Sequence, residues 1–243
     1  MPRLRSESGM TLPEVLVTLM IALVVCFATF SLVEVVMKRS GNVADRADTT
    51  QRARIAMELI TRNLRSQVCT DSNLFEGNRS VEAAGPTSLT LYTDFTDETL
   101  VSSKLPAPDR RTLTFDPTAL TLTETVTKGD RGDGTSITFT KTPTSRQLLS
   151  NVTASTMVGT SPVFFKYYED DANGEANVEV GVSNGVPRAL TEDELRDVTK
   201  IWVKYTVLTS KNGKSGATTL QDEIYVRGAI YDSAENASSC TAF

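Results

Sequence analysis

Residues 15 to 33, VLVTLMIALVVCFATFSLV, carry no charge and are bounded by Glu14 and Glu34. A helix over this run rises roughly 28 Å at about 1.5 Å per residue, close to the hydrocarbon thickness of a bilayer. The run is predicted to be a membrane span. Thr18, Thr29 and Ser31 fit this reading, because a hydroxyl in a helix can bond back to a carbonyl one turn earlier. A buried core helix of a soluble domain is disfavoured at this length and apolarity. A secretory signal peptide is the stronger competitor, since Arg3 and Arg5 precede the run. Yet the run is long for the apolar part of a signal, and no small-x-small cleavage site follows it, so a retained anchor is the better reading. Orientation stays open on charge alone, because Lys38 and Arg39 follow the run as closely as Arg3 and Arg5 precede it.

The rest of the composition narrows function. Among 243 residues there is no histidine, which excludes Ser-His-Asp and Cys-His nucleophilic machinery, histidine general bases and the commonest zinc sites. With no nucleophile motif either, no enzyme and no cofactor is expected. A net charge of -5 argues against a sequence-independent nucleic-acid binder, and no nucleic-acid partner is required.

Just ahead of the apolar run stands Gly9-Met10-Thr11-Leu12-Pro13-Glu14. A short polar leader ending in glycine, then an apolar residue, Thr-Leu-x-Glu and a membrane span, resembles the processing site of type IV prepilins and pseudopilins. The resemblance implies cleavage between Gly9 and Met10 by a prepilin peptidase on the cytoplasmic face, and methylation of the new N-terminus at Met10. The family most often has phenylalanine where this chain has Met10. Pro13 fits a first helical turn, where its missing N–H has no intrahelical partner to lose. A carboxylate at the edge of a lipid span needs a partner or a purpose, and Glu14 is such a group. Read alone, it is equally an acid favoured by the helix dipole or one that snorkels to water. The resemblance implies that Glu14, at the fifth mature position, meets the N-terminal amine of a neighbouring subunit, with Thr11 and Leu12 in the same assembly segment.

Beyond the run the helical pattern continues. Ala53, Ala56, Met57, Ile60, Leu64 and Val68 recur at spacings of three and four, with Arg52, Arg54, Glu58, Arg62 and Arg65 between them. This is one apolar stripe, suited to packing on a domain. A helix from about Thr11 to Gln67 is expected, with a kink or fray at Gly41-Asn42, where glycine costs about 1 kcal/mol against alanine. From Ser88 the period changes to two. Leu89, Leu91 and Phe95, Leu113 and Phe115, Leu120, Leu122 and Val126, then Ile137 and Phe139 read as half-buried antiparallel strands. Ile201 to Val207 and Leu220 to Ile230 flank Lys211-Asn212-Gly213-Lys214 as a hairpin, and Thr191-x-x-Glu194 is a capping box for a short helix. The expected fold is α+β and pilin-like, a long N-terminal helix on an antiparallel β-sheet domain. Its parts are a leader over 1–9, a transmembrane half-helix over 10–34, an amphipathic half over 35–69 and a β-rich domain over 70–243.

The segment from Phe164 to Gly174, the helix at Leu190 to Leu195 and the strand Ile201-Trp202-Val203-Lys204-Tyr205 resemble, loosely, minor pilins of W type and minor pseudopilins of J type. The resemblance implies a non-enzymatic subunit of a pilus or of a type II secretion-like pseudopilus. Its partners would be other pilin or pseudopilin subunits, the peptidase and methyltransferase, a membrane assembly platform and lipid. It would sit in the cytoplasmic membrane as a single-pass protein, N-terminus inside and domain outside, and then in the filament. The rival reading is a membrane-anchored surface binding protein or adhesin that does not polymerise.

Glu169, Asp170, Asp171, Asn173 and Glu175 invite a calcium reading, but Val180 falls where an EF-hand needs its bidentate acid, so an acidic turn on Asn173-Gly174 is the simpler account. Gly213-Lys214-Ser215 lacks the first glycine of a P-loop, and Arg131-Gly132-Asp133 reads as a solvated turn. Cys26 lies in the apolar run as a small hydrophobe. If the domain is exported, Cys69 and Cys240 either pair, stabilising by about 4 to 5 kcal/mol in the chain-entropy model, or stay free thiols.

Overall fold

The computed structural model describes residues 11–68, 80–95, 107–130, 137–171, 174–209 and 216–226. The chain divides into two compact units, Met1–Ala47 and Asp48–Phe243. Helix α1 (Leu12–Arg65) begins in the first and ends in the second. It runs unbroken through Gly41-Asn42, so the expected fray is absent. Helix propagation is cooperative, and a glycine penalty of about 1 kcal/mol does not stop a helix that has hydrogen-bonded turns on both sides. In the first unit the hydroxyls bond back as expected, Thr18 Oγ1 to the Val15 carbonyl at 2.9 Å, Thr29 Oγ1 to Val25 at 3.0 Å and Ser31 Oγ to Ala28 at 3.0 Å.

In the second unit the stripe is real. Thr49, Ala53, Ala56, Met57, Ile60, Asn63 and Leu64 are buried, which adds two polar residues to the apolar list. The helix ends at Arg65, short of the expected Gln67. There Ser66 Oγ donates to the Asn63 carbonyl at 3.1 Å, and the Val68 N–H turns to donate to the Tyr92 carbonyl at 3.0 Å.

Strands β1 (Val81–Ala84), β2 (Ser88–Thr93), β3 (Asp109–Asp116), β4 (Thr121–Thr127) and β5 (Thr144–Ser150) form one antiparallel sheet in that order. Sequential hairpins make such a meander with the shortest connections. Three expectations are corrected here. Strand β2 is covered on both faces, with Thr90 and Tyr92 buried as well as Leu89 and Leu91, because the sheet's second face is also packed, Tyr92 stacking on Phe139. Leu120 lies in a turn with φ of 53°, where Asp116 Oδ1 accepts from the N–H groups of Thr118 at 2.7 Å and Ala119 at 2.9 Å. The fifth strand is the polar Thr144–Ser150, whereas Ile137 and Phe139 flank an isolated bridge from Thr138 to Asp130. An edge strand exposed over its first residues has no apolar alternation to reveal it.

Short strands follow: β6 (Val152–Ala154), the hairpin β7 (Thr156–Val158) with β8 (Ser161–Val163), then β9 (Phe165–Asp170), β10 (Ala176–Val180) and the hairpin β11 (Val182–Ser183) with β12 (Val186–Pro187). Asn184 and Gly185, with φ of 51° and 75°, make the two-residue turn of that last hairpin, a conformation that asparagine and glycine tolerate best. Helix α2 (Glu192–Asp197) opens on the expected capping box, and β13 (Val198–Leu208) pairs with β14 (Ala217–Tyr225) in the expected hairpin. The second sheet runs β10-β9-β13-β14, with β6 pairing to the far end of β13. The turn at 211–214 and Ile230 lie outside the described residues.

The two sheets and the helix share one core. Phe164 stacks on Phe115 of β3 at 5.1 Å between centroids and on Tyr205 of β13 at 5.1 Å, so a single ring links the sheets. Tyr205 Oη in turn donates to the Ala53 carbonyl of α1 at 2.8 Å. The architecture is therefore α+β, a long N-terminal helix whose C-terminal part packs on an antiparallel β domain, the layout of a pilin-like fold. Ile60→Ala, at a fully buried position, is expected to cost about 2–5 kcal/mol, while Phe30→Ala, 79% exposed, leaves the domain's stability unchanged. Urea unfolding of the full chain in detergent, followed by Trp202 fluorescence, measures both.

Candidate functional site

The start of α1 is the place to which the sequence points. The Thr11 carbonyl accepts from the N–H of Glu14 at 3.0 Å and of Val15 at 3.2 Å, which closes the first turn around Pro13. Proline is accommodated because its nitrogen falls among the N–H groups that have no helical acceptor. Leu12, Glu14 and every residue of the following apolar run are exposed. Part of this helix is long and apolar enough to cross a membrane, and none of that stretch is buried against the protein.

The two acids that bound the run differ. Glu34 accepts from Lys38 Nζ at 2.6 Å, one turn on. The Glu14 carboxylate has no hydrogen-bond or ion-pair partner among the described residues. In lipid such a carboxylate is costly unless something outside the helix meets it. Gly9 and Met10 lie outside the described residues, as do Cys69, Cys240 and Arg131-Gly132-Asp133. Cys26 is a free, exposed thiol on the helix surface.

The acidic segment resolves into a hairpin turn. The Asp171 N–H donates to the Glu175 carbonyl at 2.8 Å, the Gly174 N–H to the Asp171 carbonyl at 2.9 Å, and the Glu175 N–H to Asp171 Oδ1 at 3.0 Å. The Asp171 carboxylate thus serves its own turn, Asp170 ends β9, and Asn173 is outside the described residues. Among the described residues no three of His, Cys, Asp or Glu are placed to hold a metal ion.

One constellation escaped the sequence reading. Glu124, in β4, is fully buried. Its Oε1 accepts from Asn63 Nδ2 of α1 at 2.7 Å and from Arg111 Nη1 of β3 at 2.9 Å, and its Oε2 accepts from Arg146 Nε of β5. Arg111 also donates to Thr93 Oγ1 of β2 at 2.8 Å and meets Asp109 at 3.3 Å. Three strands and the helix therefore converge on one carboxylate. Burial pushes the Glu124 carboxyl up, but its bonds to Arg146, Arg111 and Asn63 outweigh that, and it is held below the ordinary glutamate range. The available signal was parity: Glu124 shares the inward side of β4 with Leu122, an odd place for an acid unless it is paired. In a partly exposed ion pair beside α2, bidentate bonding from Arg188 pulls Glu194 down to about 2. Arg188 also lines a small open pocket with Lys166, Tyr167 and Glu179, but both carboxylates spend their bonds on holding elements together and read as structural clamps.

Compared with known protein families, curated proteins and solved structures, the chain matches none.

Removing Glu124 leaves Arg111 nearly buried without its main counter-charge, so Glu124→Ala is expected to cost about 3–5 kcal/mol. Since the folded value lies below the ordinary 4.5, the carboxylate's stabilisation is complete above that pH and is lost as pH falls through the depressed value. Urea midpoints of wild type and Glu124→Ala, compared at neutral pH and near pH 3, should converge in acid; a gap that does not shrink would contradict this assignment.

Proposed function

We propose that this chain is a structural subunit of a type IV pilus or type II secretion-like pseudopilus, held in the cytoplasmic membrane by α1 and joined to its neighbours through that helix. The carrying observation is Glu14, a carboxylate in the first turn of a membrane-length apolar helix, without a partner among the described residues, while Glu34 at the other end is paired with Lys38. A group so placed gains most from a cation that arrives with another subunit. The reading is supported further by the leader and its Gly9-Met10 junction, and by the α+β domain packed on the same helix. A prepilin peptidase would cut after Gly9 and methylate Met10, whose amine would then meet Glu14 of an adjacent subunit. The segment from Phe164 to Tyr205 favours a minor subunit of W or J type. No catalytic step is assigned, and the globular domain would face outward to make subunit contacts.

The mature N-terminus, read by mass spectrometry on protein from membranes, decides between this and an anchored adhesin. An N-methylated Met10 is the expected result. An intact leader, or a terminus beyond residue 33, would overturn the proposal. Glu14→Ala is expected to leave membrane insertion intact while reducing recovery in sheared filaments at least tenfold; equal recovery would remove Glu14 from its role.

A further inference from the structure

The outward face of the second sheet carries an unusual set of side chains. Along β13 the inward residues Ile201, Val203, Tyr205 and Val207 are buried, so Lys200, Trp202, Lys204 and Thr206 point the other way. Trp202, the chain's single tryptophan, lies beside Lys166 of β9 on one side and Glu223 of β14 on the other. Lys166 and Lys204 place their ammonium groups 5.8 and 5.5 Å from the centroid of its ring. Tyr225, 64% exposed, stands across from Lys200. Two of the three lysines have acids, Lys166 with Glu179 at 2.9 Å and Lys200 with Glu223 at 3.4 Å. Lys204 faces Gln221, and its ammonium group has only the indole for a partner among the described residues. A half-buried tryptophan beside a cation that no acid balances, with the exposed Tyr225 on the same face, is the composition of a contact centre rather than of a solvated sheet face.

The same sheet offers the complementary charge on its other side. Leu195 anchors α2 in the core, on the side of Tyr167 and Ile201, and this leaves Asp193 and Asp197 exposed at the rim. Glu169 of β9 has the inward parity of Phe165 and Tyr167 and joins them there. Burial, then the charges of Asp197 and Glu194, push the Glu169 carboxyl up, and burial, then Asp193, does the same to Asp197; Arg188 is engaged by Glu194 and Arg196 offsets only part of the effect on Asp197, so acids outnumber bases along this rim. Patches of opposite sign on the two sides of one sheet fit head to tail, which builds a ring or an open chain according to the rotation between copies.

We infer that the Lys204–Trp202–Tyr225 face docks the acidic rim of a second copy of this chain, with Lys204 taking Asp193 or Asp197 of that copy as its counter-ion. The inference rests on the filament reading in that both require copies to meet in the membrane, and it adds a contact between globular domains to the one made through α1.

The test uses full-length chain from membranes in which ordinary and 15N-labelled copies are mixed before treatment with a carbodiimide. This reagent joins a lysine amine to a carboxylate it touches as an amide and takes up the water released, so only preformed ion pairs are fixed. Mixed-label peptides joining Lys204 to Asp193 or Asp197 are the expected product. Lys204→Glu should lower their yield at least tenfold, and mixing Lys204→Glu copies with Asp197→Lys copies should restore a joined pair with the charges exchanged. Absence of mixed-label products, or yields indifferent to Lys204→Glu, would overturn the inference. So would Lys204 products to a different protein, or quenching of Trp202 fluorescence by a single-stranded oligonucleotide, which would reassign the face to another partner. The N-terminus is read on the same sample. A methylated Met10 without the cross-link defeats only this contact, whereas the cross-link with an uncut leader defeats only the filament reading.

Discussion

A single hydrogen-bonded helix here must satisfy different surroundings along its length, and the other features of the chain follow from that constraint. Over residues 15 to 33 the helix is apolar all round and its hydroxyls bond back to its own carbonyls, so it presents no unpaired polar group. From Thr49 to Leu64 it is apolar on one side only, and that side is covered by the sheets. No break separates the two regimes, because backbone hydrogen bonding does not depend on what the side chains face.

The packed part of the helix is fixed by polar contacts as much as by apolar ones. Thr50 meets Thr218 at 3.1 Å, Thr61 donates to Asp222 at 2.8 Å, Tyr205 reaches the Ala53 carbonyl and Asn63 reaches Glu124. Apolar burial gives the larger share of the stability, but it is tolerant of small slides and rotations. Directional bonds to a buried carboxylate are not. Glu124 therefore sets the register of helix on sheet, while Ile60 and Leu64 supply the cohesion.

Much of this was legible in the chain itself. The apolar run, the stripe from Ala53 to Leu64, the capping box at Thr191 and the pairing of β13 with β14 all rest on local periodicity or on residues a few positions apart. The misreadings share a cause. Thr144–Ser150 is a strand because a neighbour pairs with it, and Leu120 turns because Asp116 captures the following N–H groups. Gly41 stays helical because turns on both sides hold it. In each, a partner outweighed intrinsic preference.

The sequence by itself determined the layout: an apolar helix of membrane length that follows a Gly-Met-Thr-Leu-Pro-Glu stretch and runs on into a β-rich domain, in a chain without histidine. Those are matters of order and composition along the chain. Tertiary structure alone decided that Glu124 lies under Asn63, Arg111 and Arg146, and that Trp202 sits outside with Lys204 rather than in the core. Both depend on which strands become neighbours. That pairing brings together residues 61 positions apart in one case and sets the facing side of a whole sheet in the other, and no local pattern encodes it.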